Sequence, residues 1–432
     1  MPRKMHLGWF FGFQVQSWNQ VWSGDGDTDW MTPEIYVEAA QAMERARFDC
    51  MVIEDALFVP DVFRGSADWT LEHALYAPKH DPMPYVPVIA AATRHLGVIP
   101  TVTTTFYPPY LAARLLSTLD HVTRGRVGAN LVMSHNDRTA QNFGYDAQRE
   151  HGQRYEVGHE WAELVGRLWE TWEPDAIVKD AEAGVYADPA KVHRLDYEGT
   201  WYRSRGPLNV APSPQGRPVI CQAGASPAGR DFAARFADLV ICNAQGIDSM
   251  REYREDISRR LVGHGRDPGD CKVLYLVSPV LGETDAEASG RWQRMLDDVE
   301  GNIERNLAIL TYYSGVDFGQ FDLDAPMPVV RTNASKTTIE HNRVKSEGAT
   351  LREFCSRPER GCVDLVGSPD AVAAQMEEIN GAVGGDGFLI ALPINRRTVY
   401  EVTDGLAPAL ARRGLLREAY AYPTLRENLL EF

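Results

Sequence analysis

The sequence predicts an α/β protein built on a (β/α)8 TIM barrel with insertions. Three observations lead there. Eight short apolar runs recur along the chain, separated by longer amphipathic stretches, which is the order of a parallel sheet clad in helices. No G-x-G-x-x-G follows the first run, so an open doubly wound sheet would lack its dinucleotide fingerprint. The length of 432 residues exceeds the roughly 250 of a plain barrel and leaves room for long connections.

Residues 6–10 read as the first strand. Pro33 then opens a helix over 35–47 with a preset first turn, and Ile35, Ala39, Ala42, Met43 and Ala46 recur in it at helical spacing. Residues 50–53 form a buried strand that stops at Glu54-Asp55. A short helix over 87–94, a strand over 96–101, and a helix over 110–119 with the turn Arg124-Gly125-Arg126 follow, and residues 127–132 are the fourth strand. Residues 218–221, 239–242, 272–277 and 387–391 complete the eight. Two stretches break the alternation. Residues 172–214 carry scattered Gly, Pro and Tyr, and 311–367 is polar, with Asp322, Asp324, Pro326 and Pro328. Long loops in compact domains are often lids or binding loops. The expectation is therefore one domain over 1–432, with both stretches as substrate-enclosing insertions and 311–367 as the lid.

Composition removes several classes. Apolar residues at 44% and charged residues at 24% suit a globular chain and exclude collagen, coiled coil and disorder. The 44 Lys+Arg against 60 Asp+Glu give a net charge of −16, with no Lys/Arg run longer than two. That argues against nucleic acid and anionic membranes as partners. No stretch of about 18 apolar residues is present to span a bilayer, and the N-terminus lacks a signal-peptide apolar segment, so a cytoplasmic enzyme is expected. The six cysteines form no C-x-x-C pair and read as buried thiols.

Barrel active sites lie at the C-terminal strand ends. There the chain places Asp55, then Thr101 with Thr103-Thr104-Thr105, then Asn130 followed by Ser134-His135-Asn136, and then Gln222-Ala223-Gly224-Ala225-Ser226. The last group precedes a helical stretch at 230–234. Its N–H groups and glycine could cradle a phosphate, or Ser226 could simply cap its own helix. His151 and Tyr155, four apart, share a helix face and could meet one ligand; alternatively Tyr155 packs and His151 caps. No G-x-S-x-G elbow or P-loop is present, and His73 and His80 lack zinc spacing.

The motifs Ser117-Thr118-Leu119-Asp120-His121 with Gly125-Arg126, Asn130-Leu131-Val132-Met133-Ser134, Asn142-Phe143-Gly144, His151-Gly152-Gln153-Arg154-Tyr155 and 213–218 leading into Gln222-Ala223-Gly224-Ala225-Ser226 carry a resemblance over residues 5 to about 415. The chain resembles the flavin-dependent monooxygenases of the bacterial-luciferase superfamily, in the branch with nitrilotriacetate, dibenzothiophene-sulfone and long-chain alkane monooxygenases. The resemblance implies reduced FMN (FMNH2) delivered by a separate flavin reductase, O2 as co-substrate, a peroxyflavin that oxygenates a small aromatic or heteroatom-containing compound, and a homodimer or homotetramer. It implies flavin contacts from Asp55, Thr101, Asn130, His151 and Tyr155, a phosphate site at Ser226 beside Ala225, and a catalytic acid in His135, whose unperturbed pKa lies near working pH. Phe13 and Gln16 stand where the alkane enzyme has a cysteine and a histidine, which argues against alkane hydroxylation. Phe13, Trp18, Phe58 and Phe63 are expected to wall the substrate pocket; core packing is the alternative for these rings. A riboflavin-cleaving lyase and a deazaflavin-dependent oxidoreductase are the rival activities on the same fold.

Overall fold

The computed structural model describes residues 3–15, 29–330, 332–334, 348–358 and 360–432. Its strands β1 (His6–Gly12), β2 (Cys50–Glu54), β3 (Gly97–Thr103), β4 (Gly128–Val132), β5 (Val219–Gln222), β6 (Leu239–Cys242), β7 (Lys272–Val277) and β8 (Gly387–Ile390) close into a parallel barrel. Chain neighbours pair around the ring, and β8 returns to β1 with His6 opposite Gly387. Each strand falls within a residue or two of its apolar run. The runs are continuous because both faces of such a sheet are covered. On the inner side Val52, Ile99, Val219, Cys221, Leu239, Leu274 and Leu389 pack together, joined by Leu425 and Leu429 from the short helix Leu425–Leu429. That helix forms the floor. Gly97 at the start of β3 lets this helix come close, since a Cβ there would lie 2.6 Å from Leu425 Cδ1.

The larger helices are α1 (Glu34–Arg45), α2 (Tyr85–Ala92), α3 (Pro109–Thr123), α4 (His151–Trp169), α5 (Pro227–Phe236), α6 (Ile247–Gly263), α7 (Asp285–Asp297), α8 (Val299–Ser314) and α9 (Pro369–Val383). The stripe anticipated in α1 is buried, with Pro33 as the residue just before the helix rather than in its first turn. α3 ends on Arg124 in the left-handed conformation (φ 57°). Two residues on, buried Arg126 donates to the carbonyls of Ala90, Thr93 and Leu96, which knots α2 to the floor. A second knot joins Asp49, Arg417 and His6. Arg417 contacts the Asp49 carboxylate and donates to Asn428 Oδ1 at 3.0 Å, while Asp49 Oδ2 accepts from Leu7 N at 3.0 Å. All six cysteines are buried and unbridged.

The insertions differ from expectation. Residues 172–214 form two antiparallel ribbons, Ile177–Asp180 with Val185–Ala187 and Tyr197–Glu198 with Arg203–Ser204. They lie against the outer helices. Glu160 of α4 accepts from the N–H groups of Thr200 (3.0 Å) and Tyr202 (2.8 Å), and His121 of α3 meets the Ala211 carbonyl at 3.1 Å. No residue of this stretch lines the barrel-mouth cavity, so its substrate-enclosing role is corrected to a support for α3 and α4. The second insertion begins earlier than 311, at α7, and runs from β7 to β8. It has its own apolar cluster of Ile303, Leu307, Phe318, Met327 and Leu351, into which Phe63 and Leu75 pack. Residues 335–347, in the middle of the expected lid, lie outside the described residues.

Candidate active site

The C-terminal strand ends open into a cavity of about 1140 Å³. Asp55, Thr101, Asn130, His135, His151, Tyr155, Ala225, Ser226 and Phe58 all line it. Register explains the first group. Thr101 and Asn130 stand opposite each other on β3 and β4. Thr101 Oγ1 donates to the Ile53 carbonyl (2.7 Å) and accepts from Asn130 Nδ2 (2.9 Å). Asn130 Oδ1 is left without a hydrogen-bond partner, as are Gln222 Oε1 and His135 Nε2. A buried polar atom left unpaired costs about 1–3 kcal/mol. Three such atoms around one cavity are what a polar ligand would satisfy.

The loop from β5 to α5 shows that the two readings of Ser226 are compatible. Ser226 Oγ accepts from Gly229 N at 3.0 Å, with Pro227 in the first helical turn, so the serine does cap α5. It also lines the cavity and stands 3.5 Å from the Tyr155 hydroxyl. Backbone meets backbone here: a Cβ on Gly224 would lie 2.6 Å from the Gly229 carbonyl carbon, and one on Gly229 would lie 2.9 Å from Tyr155 Oη. The Tyr253 hydroxyl ties the Gly224 carbonyl down at 2.6 Å. Beside this loop, α4 starts at His151, whose ring lies 5.2 Å from that of Tyr155. Arg154 donates to the carbonyls of Asn333 (2.8 Å) and Ala334 (3.2 Å), which pins the second insertion to the barrel.

His135 sits against the second insertion, with the rings of Tyr312 and Tyr313 5.7 and 5.9 Å away. Tyr312 also stacks on Tyr76 (4.1 Å) and Phe58 (5.4 Å), giving an aromatic wall. Burial, reinforced by the Arg154 charge and opposed by the Tyr312 backbone, pushes the His135 pKa down to about 4. This corrects the expectation of an ordinary imidazole. At neutral pH the ring is uncharged, so it offers one N–H and one lone pair rather than an imidazolium. Asp55 shifts the other way: burial, with help from Glu54 and Asp81 and against Lys79, raises it to about 7. Lys79 itself pairs with Glu54.

Two of the anticipated pocket rings belong elsewhere. Phe13 is buried among Phe11, Tyr36 and Tyr85 at 5.3, 4.4 and 4.2 Å, a core cluster between β1, α1 and α2. Phe63 packs edge-on against Trp69 at 5.3 Å in the insertion's cluster. Neither lines the cavity, so both are corrected to core residues. Trp18 and Gln16 lie outside the described residues. Conversely, Tyr76, Tyr312 and Tyr313 were not singled out beforehand. The signal available was the Tyr312-Tyr313 pair just before Gly315, the left-handed end of α8.

A closed parallel barrel with unsatisfied polar groups and an aromatic wall gathered at its C-terminal strand ends defines a barrel enzyme with a ligand site in its mouth. The chain belongs to the luciferase-like monooxygenase family, whose model matches residues 5–386, and it is thus a flavin-dependent oxidoreductase. It is 34% identical to a dibenzothiophene-sulfone monooxygenase of Rhodococcus erythropolis over 99% of this chain and 96% of the relative. It is 35% identical to a dimethyl-sulfide monooxygenase of Hyphomicrobium sulfonivorans over 92% of this chain and 83% of the relative. Among solved structures, a riboflavin lyase with modified FMN and riboflavin superposes with a TM-score of 0.89 at 30% identity, covering 100% of this chain and 96% of that one.

Proposed function

We propose that this protein is the oxygenating component of a two-component system. It would take reduced FMN from a partner flavin reductase and use O2 to oxidise a small aromatic or heteroatom-containing compound. The observation that carries this reading is the set of orphaned atoms Asn130 Oδ1, His135 Nε2 and Gln222 Oε1 around a cavity that also holds the Ser226 cradle. Donors and acceptors of these kinds fit the polar edge of a flavin ring, and the start of α5 fits its phosphate. Asp55, Thr101 and Asn130 would hold the ring; His151, Tyr155, Ala225 and Ser226 would hold the ribityl phosphate. Reduced FMN, when bound, supplies two electrons to O2, so that one oxygen atom enters the substrate and the other leaves as water. The chain's own task is positioning and dryness. Neutral His135 can hydrogen-bond the reacting oxygen without releasing a proton into the site, and the wall of Phe58, Tyr76 and Tyr312 stacks a flat substrate while excluding water.

The test is oxygen uptake and product formation with FMN, NADH and a generic flavin reductase. Loss of turnover in Ser226→Ala and His135→Ala supports the assignment, and unchanged turnover in both rejects it. Conversion of riboflavin to lumichrome by the reduced protein would instead favour the lyase alternative.

A further inference from the structure

The second insertion delivers an arginine to the cavity that the fold itself leaves unanswered. Arg360 lines the cavity next to Pro358 and Gly361. Its Nη2 reaches the Pro279 carbonyl at a long 3.4 Å, and its Nε is buried without a hydrogen-bond partner. No ion pair joins it to a carboxylate among the described residues. Two other arginines of this wall are engaged: Arg154 with the Asn333 and Ala334 carbonyls, and Arg230 with Asp256.

The mount of Arg360 is rigid. Its carbonyl accepts from Ser278 N (3.1 Å), and Cys362 N donates to the Leu276 carbonyl (2.8 Å) at the end of β7. Gly361 between them has φ 83°, and a Cβ there would lie 2.2 Å from Leu276 O, so only glycine permits this close approach. From the other side, Asn306 Nδ2 on α8 donates to the carbonyls of Cys355 and Arg357, each at 2.8 Å. A backbone held this firmly fixes where the Arg360 side chain starts, so less freedom is left to lose on meeting a ligand. Burial lowers its pKa to about 10, with Asp364 opposing, so it remains charged at neutral pH. Arg305 on α8, exposed at the same cavity and without a partner among the described residues, adds positive potential at the entrance.

We infer that Arg360 is the specificity-determining residue of this site and that the substrate carries an anionic group, a carboxylate or a sulfonate-type oxyanion, which the guanidinium binds. The inference rests on the substrate side of the function proposed above. A planar fork of donors suits the two oxygens of such a group. The cofactor's phosphate is the other anion that could reach it, and the experiment separates the two.

FMN-loaded protein is titrated calorimetrically with phenylthioacetate and benzenesulfonate, and with their neutral counterparts phenylthioacetamide and benzenesulfonamide. At least one acid is expected to bind about ten-fold or more tightly than its amide. Arg360→Gln should erase that margin, and Arg360→Lys should retain part of it. FMN and riboflavin should bind Arg360→Gln as they bind the parent. No margin in the parent overturns the inference, as does a margin that survives in Arg360→Gln. Weakened FMN binding with unchanged riboflavin binding also overturns it, because the guanidinium would then belong to the phosphate. Should FMN not bind the parent at all, the same titrations on protein alone still judge the anion site, and only the flavin reading fails.

Discussion

Strand β2 carries an aspartate at each end, and the two have opposite fates. Asp49, just before the strand, lies on the floor. Burial alone would raise its pKa, but His6 and Arg417 overrule it and hold the carboxyl below its ordinary value. Asp55, just after the strand, lines the mouth, where burial prevails over Lys79 and lifts it to about 7. Five residues of β-strand separate them. Asp49 has His6 Nδ1, Leu7 N and Arg417 around it, whereas the mouth leaves Asn130 Oδ1 and Gln222 Oε1 unpaired. Asp49 is thus satisfied by protein partners, whereas Asn130 Oδ1 and Gln222 Oε1 are left for a ligand to satisfy.

Several experiments can break or sharpen that contrast. The largest expected effect is at the floor. Asp49→Asn should lower unfolding free energy by about 3 kcal/mol in urea titration, because it strips buried Arg417 of its main carboxylate; Glu431, 3.1 Å away, limits the loss. A similar loss from Asp55→Asn would break the contrast. Next comes Ser226→Ala. It should weaken FMN at least ten-fold by fluorescence titration while costing only about 1 kcal/mol of stability through the lost cap. Riboflavin, which lacks the phosphate, should be much less affected.

Third are the pH signatures, which have opposite signs. Asp49 is depressed in the folded state, so its contribution is present above the unfolded value of about 3.9 and fades as pH falls below it. Asp55 is raised, so the folded state holds its proton more tightly. Stability from it is fully present below about 4 and is lost as pH rises toward about 7. Unfolding midpoints from pH 3 to 9 should therefore lose their acid limb in Asp49→Asn and their decline between about 4 and 7 in Asp55→Asn. The smallest expected effect is none: with its pKa near 4, the His135 ring should show no NMR titration between pH 5.5 and 8.

Much of this was legible in the chain. A strand buried on both faces leaves a continuous apolar run, so the eight-strand barrel could be read off, and polar residues such as Thr101, Asn130 and Ser226 marked the mouth because they follow those runs directly. Aromatic rings were not legible in the same way. Phe13 and Phe58 look alike in sequence, yet one meets Tyr36 and Tyr85 in the core and the other meets Tyr312 in the cavity wall, because helix packing decides where each ring points. Tyr312 and Arg360 were missed because they reach the site from an insertion whose path no local period encodes. The lowered His135 pKa was not legible because the burial that chiefly sets it, and the Arg154 charge that adds to it, arise only in the folded chain.

The asparagine clips of α8 have one more consequence. Asn302 and Asn306 bind the chain at 355–357, so the helix that carries Tyr312 and the segment that carries Arg360 form one body. That body leaves the barrel after β7 and rejoins it before β8. Swapped as a block between relatives, it should carry the preference for a reactant with it and leave the redox half of the machine in place.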